Sequence, residues 1–255
     1  MGKIAIITGA SSGFGKEFVK LLQKERELDE IWAIARDERK LRRLQRQLPE
    51  KLRTFSVDLS NLDQIVEFEK VVKESKPDIK YLINSAGYAK FCSYYNLSVK
   101  ESVNMIDVNC SGVVAMTLLC IPFMRRGSRI LNVSSLASFQ PLPYQNIYSA
   151  TKTFVRHYSR ALHVELGQRG ITVTAVCPGW MRTALFDRAK IGAKKTVNNF
   201  FGLTEPGRVA QKALRDAKRS RDISVYGIYA KTAHAASKVL PQKWMMTLWM
   251  MQQRF

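Results

Sequence analysis

An α/β fold, a parallel sheet flanked by helices, is what this sequence predicts. Three observations carry the expectation. Short apolar runs recur along the chain, amphipathic helical stretches separate them, and a glycine-rich turn joins the first run to the first helix. A length of 255 residues suits one domain, residues 1–255, in which most apolar surface is buried.

The elements follow in order. Lys3-Ile-Ala-Ile-Ile-Thr-Gly9 has the character of a buried parallel strand. Gly9-Ala-Ser-Ser-Gly13-Phe-Gly15 is the turn, and Lys16–Leu22 has helical periodicity. Further strands are expected at Ile31–Ala35, Arg53–Val57, Tyr81–Ile83, Arg129–Val133 and Ile171–Val176. Val113–Met124 is apolar but short and contains Pro122, so it reads as a buried helix and not a membrane span. Ile223–Gly227 is a short strand or a loop. Lys231–Lys238 reads as helix, Pro241 interrupts the pattern, and Trp244–Met251 is almost wholly apolar.

Two features carry chemistry. Strand, glycine turn and helix together make a phosphate site, because glycines let the backbone approach and the helix N-terminus presents free N–H groups. Further on, Tyr148 and Lys152 lie four residues apart, on one face of a helix. An ammonium beside a phenol favours the phenolate and lowers a pKa of about 10. A tyrosine tuned this way serves as general acid or base.

Charge and cysteine usage bound the alternatives. The formal net charge is +20. Ten Lys or Arg stand between Arg188 and Arg221 against two acids, Glu205 and Asp216. A second basic group runs through Arg36, Arg39, Lys40, Arg42, Arg43 and Arg46. No nucleic-acid motif accompanies them, so specific nucleic-acid binding is not expected, and the charge reads as solvated surface that also attracts anionic ligands. Cys92, Cys110, Cys120 and Cys177 are scattered with no C-x-x-C, which argues against a metal site and against a disulfide framework. The N-terminus enters the first strand at once, leaving no room for a signal peptide, so a cytoplasmic location is expected.

The chain resembles the short-chain dehydrogenase/reductase family over roughly residues 3 to 185. The family's Thr-Gly-x-x-x-Gly-x-Gly appears as Thr8-Gly9-Ala-Ser-Ser-Gly13-Phe-Gly15, and its Asn-Asn-Ala-Gly as Asn84-Ser85-Ala86-Gly87. The active-site asparagine matches Asn109, the serine Ser135, and Tyr-x-x-x-Lys matches Tyr148 and Lys152. The later Pro-Gly is Pro178-Gly179, with the matching threonine at Thr183. The resemblance implies a Rossmann-type doubly wound sheet and interconversion of a secondary alcohol and a ketone. By that resemblance Tyr148 moves the proton and Ser135 holds the substrate oxygen. Lys152 tunes the tyrosine and holds the nicotinamide ribose, and Asn109 supports a water leading from the lysine to solvent. Ser134, the neighbour of Ser135, is assigned a structural role. The cofactor contacts implied are Gly9, Ser11, Ser12, Gly13, Phe14, Gly15, Arg36, Asp58, Leu59, Asn84, Ala86, Gly87, Tyr148, Lys152, Pro178, Gly179 and Thr183.

NAD-preferring members of that family carry an acid at the end of the second strand, where this chain has Ala35 followed by Arg36. Arg36 suits a 2′-phosphate, so the expected cofactor is NADP(H). The substrate loop is expected over about 180–207, where Trp180, Met181, Leu185, Phe186, Phe200 and Phe201 either line a site for a bulky apolar alcohol or ketone, such as a steroid or bile acid, or pack on the protein itself. A 3-oxoacyl thioester reductase and a non-catalytic NADP-binding sensor are the competing readings. Family members commonly form homodimers or homotetramers. The helical extension over about 228–255 departs from the family's usual seventh strand and short tail. It is a packed or oligomer-forming helix, a methionine-rich lid, or an interfacial anchor flanked by Lys243 and Arg254.

Overall fold

Seven parallel strands form the sheet in the computed structural model, which describes residues 2–183, 189 and 197–254. They are β1 (Lys3–Thr8), β2 (Glu30–Ala35), β3 (Leu52–Ser56), β4 (Asp78–Asn84), β5 (Arg129–Val133), β6 (Thr172–Val176) and β7 (Ile223–Ser224). Their order across the sheet is β3-β2-β1-β4-β5-β6-β7. The winding reverses between β1 and β4, which opens a crevice at the C-terminal ends of the strands, where such sheets bind ligands.

Alternation along the strands splits the core into two layers. Ala5, Ile7, Ile31, Ala33 and Ile83 face α1 (Gly13–Leu22), α2 (Glu38–Gln47) and, later in the chain, α7 (Pro206–Lys218). Ile4, Ile6, Trp32, Ile34 and Leu82 face α3 (Leu62–Ser75), α5 (Gly112–Cys120) and α6 (Asn146–Gly167). Helices on both faces make this the doubly wound fold that the sequence implied.

Three expectations are corrected in detail. β2 begins one residue before its apolar run and β4 spans Asp78–Asn84, because backbone pairing continues past the side chains that bury, while β3 starts and ends one residue early and β6 begins at Thr172. The apolar helix is longer than Val113–Met124. It joins α4 (Val99–Ile106) through five residues in π conformation, Asp107–Ser111, and ends in a 3₁₀ turn that holds Pro122. The whole run Val99–Phe123 is long and apolar enough to cross a membrane by length and composition. Its residues Val113, Met116, Leu119 and Cys120 are nevertheless buried, three of them in the core against the sheet, as in a core helix. Ile223–Gly227 is a two-residue strand paired with β6, followed by α8 (Ile228–Val239) and α9 (Gln242–Gln253).

Candidate active site

The glycine turn is built from close backbone approaches. Gly9 has φ +66°, and a Cβ there would lie 2.8 Å from the Ala86 backbone. A Cβ on Gly15 would lie 2.3 Å from the Gly9 carbonyl oxygen. Thr8 Oγ1 accepts from the backbone N–H groups of Ser85 and Ala86, both at 3.1 Å, and so ties the ends of β1 and β4 together. Ser12 is the N-cap residue of α1, yet its side chain makes no capping bond, so it leaves the first-turn N–H groups to an outside acceptor. Turn and helix end fit a dinucleotide pyrophosphate.

One cleft runs from this turn across the sheet. Gly9, Ser11, Ser12, Gly13, Phe14 and Gly15 line its start, with Arg36, Lys40, Asp58 and Leu59 on one flank and Ala86 and Gly87 on the other. Ser135, Tyr148, Lys152, Pro178, Gly179 and Thr183 line it further on. Asn84 does not belong to the lining. Its side chain turns into the core, where Nδ2 donates to Thr117 Oγ1 (3.0 Å) and to Asn132 Oδ1 (2.9 Å). Its motif neighbours reach the cleft because strand β4 ends at Asn84 and the chain turns toward solvent after it.

Asn109 also stands behind the lining, in the π segment and fully buried. Its Oδ1 accepts from the Tyr88 N–H (3.1 Å), while Nδ2 donates to the Tyr88 carbonyl (3.0 Å) and to Thr151 Oγ1 (3.1 Å). Both amide protons are thereby occupied. The side chain locks the segment after Gly87 to α6. A Cβ on Gly87 would lie 2.9 Å from Asn109 Oδ1 and 3.2 Å from Lys152 Nζ, so a glycine is required there for lack of space.

Ser134 and Ser135 differ in what their side chains meet. Ser134 is buried and its hydroxyl donates to the Lys152 carbonyl at 2.6 Å, which fastens β5 to α6. Ser135 Oγ accepts from the Ala137 N–H (3.1 Å), and Ser135 and Tyr148 line the same cleft. Lys152 Nζ donates to the Val133 carbonyl (2.9 Å) and lies 5.7 Å from the centre of the Tyr148 ring. Electrostatics here run against the expectation from spacing. Burial pushes the Tyr148 phenol above its ordinary value, opposed by the nearby Ser135 hydroxyl, and burial pulls Lys152 down to about 8. Desolvation is the largest cause for both groups.

The far end of the cleft is apolar. Phe91, Leu142, Trp180, Met181 and Trp249 line it. Trp180 packs edge-on against Phe91 (6.0 Å) and Phe200 (5.0 Å) and stacks with Trp249 (6.4 Å). Phe200 stands behind the lining and Phe201 points outward, while Leu185 and Phe186 lie outside the described residues. The Trp249 indole donates to the Pro143 carbonyl (3.0 Å). Gln253 holds the Asn198 and Asn199 backbone, so α9 is both a packed helix and a wall of the cleft.

Sequence reasoning missed Lys40, Tyr88, Val108, Gln145 and Tyr229 as lining residues, and reached Trp249 only through the lid alternative for Trp244–Met251. Gln145 is the most unusual. It is the N-cap residue of α6 with no side-chain cap bond, it is 1 % exposed, and neither side-chain amide atom has a hydrogen-bond partner among the described residues. A glutamine where helices favour Ser, Thr, Asp or Asn was the available signal.

Comparisons with known proteins agree with this geometry. An uncharacterised oxidoreductase of Staphylococcus aureus (strain MW2) is 30 % identical over 217 residues, covering 81 % of this chain and 93 % of that protein. One from Staphylococcus epidermidis is 28 % identical over 216 residues, with the same coverage. Among solved structures, a short-chain dehydrogenase from Sphingobium yanoikuyae in complex with NADPH has a TM-score of 0.77 at 24 % identity, covering 97 % of this chain and 95 % of that one. The closed form of a serine dehydrogenase complexed with NADP+ has a TM-score of 0.75 at 27 % identity, covering 88 % and 94 %. The sequence model of the short chain dehydrogenases matches residues 3–193, and the chain belongs to that family of oxidoreductases.

Proposed function

We propose that the protein is an NADP(H)-dependent oxidoreductase that interconverts a secondary alcohol and a ketone on a bulky apolar substrate. One observation carries the reading. Tyr148 and Ser135 stand together in a cleft that begins at a glycine turn and ends among aromatic side chains. Steroids, bile acids and lipid-like carbonyl compounds are the substrate classes of matching bulk. The whole chain acts as one domain in the cytoplasm, with the last two helices closing the substrate end; the substrate loop expected over about 180–207 lies partly outside the described residues.

For the cofactor, the turn over Gly9–Gly15 and the N-terminus of α1 would hold the pyrophosphate, and Asp58 and Leu59 the adenine. Arg36 and Lys40 would hold the 2′-phosphate. Asp37, the nearest rival acid, is engaged elsewhere. Its carboxylate accepts from the Lys40 N–H at 3.0 Å and pairs with Lys40 Nζ at 3.0 Å, and these contacts hold its pKa below the ordinary carboxylate value. The NADP+ in the related serine dehydrogenase supports the same choice. When bound, the nicotinamide supplies or accepts the hydride.

This chain's own residues handle the oxygen and its proton. A ketone oxygen gains negative charge as its carbon is reduced, and donors aimed at it lower the barrier. Ser135 Oγ–H would hold that oxygen while Tyr148 delivers the proton. A phenol held above its ordinary pKa keeps its proton at neutral pH, which suits reduction. Lys152, with a pKa of about 8, is placed to return a proton toward the tyrosine and to hold the ribose. Asn109 positions Lys152 through Thr151 and the segment at Gly87. Gln145 offers the substrate one buried amide, fit for a second polar group on an otherwise apolar molecule.

The test is nicotinamide absorbance with NADPH or NADH against large apolar ketones, acyl thioesters and small ketones. Tyr148→Phe should lower turnover by at least about a hundredfold while NADPH binding persists. A Tyr148→Phe enzyme with near-parent rates rejects the mechanism. NADPH binding with no turnover of any of these compounds rejects the enzyme reading in favour of a sensor.

A further inference from the structure

The inner and outer sides of α9 differ in what they meet. Met245, Trp249 and Gln253 are buried, and Trp249 and Gln252 border the cleft. On the other side Trp244, Leu248 and Met251 stand 62 %, 52 % and 69 % exposed. Their spacing of four and three residues makes them one apolar stripe along the helix. Val239, just before the helix, is also exposed. Stable monomers rarely leave tryptophan, leucine and methionine together in water without a partner for them.

Charge identifies the partner. From Ile223 to Phe255 the chain contains no Asp or Glu, while Lys231, Lys238, Lys243 and Arg254 supply positive charge on and beside the two helices. An apolar stripe with tryptophan, flanked by cations and free of acids, has the composition of a helix that lies in the plane of an anionic lipid surface. A second copy of the chain would bring the same cations against themselves.

We propose that the outer face of α9 seats the protein on anionic membranes. The stripe enters the headgroup region, the lysines meet lipid phosphates, and the substrate end of the cleft is held beside the lipid in which apolar carbonyl compounds partition. The face is argued from exposure and charge alone, so it stands apart from the oxidoreductase reading.

The experiment is sedimentation of the full chain with vesicles of phosphatidylcholine, alone or mixed with phosphatidylglycerol. The bound fraction should rise with phosphatidylglycerol and fall as salt is added. A Trp244→Glu, Leu248→Glu double variant should lose at least about tenfold in partition, a loss of the size expected when exposed apolar anchors become acids. Its turnover of a soluble small ketone should match the parent, because neither residue lines the cleft. Equal sedimentation with both vesicle types, or equal binding of variant and parent, overturns the proposal. Loss of a dimer in the variant, seen by light scattering, overturns it in favour of contact between copies. Absence of turnover in the parent leaves the vesicle result intact and bears only on the catalytic reading.

Discussion

Gln145→Leu should make the protein more stable. The glutamine is 1 % exposed, and its two amide atoms have no hydrogen-bond partner among the described residues. Leaving a buried polar group unpaired costs about 1–3 kcal/mol, and leucine fills nearly the same volume without that cost. The helix start is untouched, because the side chain does not cap α6, and the backbone bonds to Leu142 and from Ser149 remain. For a chain of this size each kcal/mol moves the thermal midpoint by about 2–4 °C, so a rise of about 2–12 °C is expected. Differential scanning calorimetry on cofactor-free protein measures it. Gln145→Ala gives the opposite sign, since truncation leaves a cavity. Catalysis supplies the second arm. The leucine variant should lose about tenfold in kcat/KM on substrates with a second polar group and little on those without one. A lower midpoint in the leucine variant, with substrate preference unchanged, would show that the amide is satisfied in the folded protein and refute the reasoning.

Three further outcomes follow from the site. Arg36→Asp should shift preference from NADPH toward NADH, read as a reversal in the ratio of kcat/KM values; a variant that still prefers NADPH removes Arg36 from the 2′-phosphate site. Lys152 has a folded pKa of about 8 against an ordinary 10.5, so between these values the unfolded chain binds more protons and stability rises with pH. Urea unfolding across that window should show the slope in the parent and lose it in Lys152→Met; an identical slope in both contradicts the burial of the ammonium. Trp249→Ala should cost about 3–5 kcal/mol and raise KM for large apolar ketones more than for small ones, and equal KM changes would mean that α9 only packs.

Residues 3–183 were legible because repeated local signals agreed there. Apolar runs of strand length, the glycine turn at Gly9–Gly15 and the Tyr148–Lys152 spacing each pointed to the same fold and cleft. Asn84 and Asn109 were harder. Motif position placed Asn84 at the cofactor and Asn109 in the active site, but only the structure shows the Asn84 amide nitrogen bonded to Thr117 and Asn132 and the Asn109 amide to Tyr88 and Thr151. A hydrogen-bond partner distant in sequence leaves no local pattern. The sign of the Tyr148 shift was misjudged for a related reason: spacing reports proximity to Lys152, whereas burial of both groups decides the energy. Trp249 and Gln252 join the cleft through packing of a segment about a hundred residues beyond Tyr148, a contact that helical periodicity does not encode.

The crowding at Gly9 and Gly15 has a consequence for altering this protein. Backbone touches backbone there, so the turn tolerates no added side chain, and whatever it grips is recognised by shape common to both nicotinamide dinucleotides. In the proposed reading discrimination sits elsewhere, at the end of β2 and the start of α2, where Arg36 is exposed and Lys40 pairs with Asp37. Anchoring and selection are thus carried by separable parts: a rigid one closed to variation and a peripheral one open to it. Redesign of cofactor choice can proceed entirely at the second without disturbing the first.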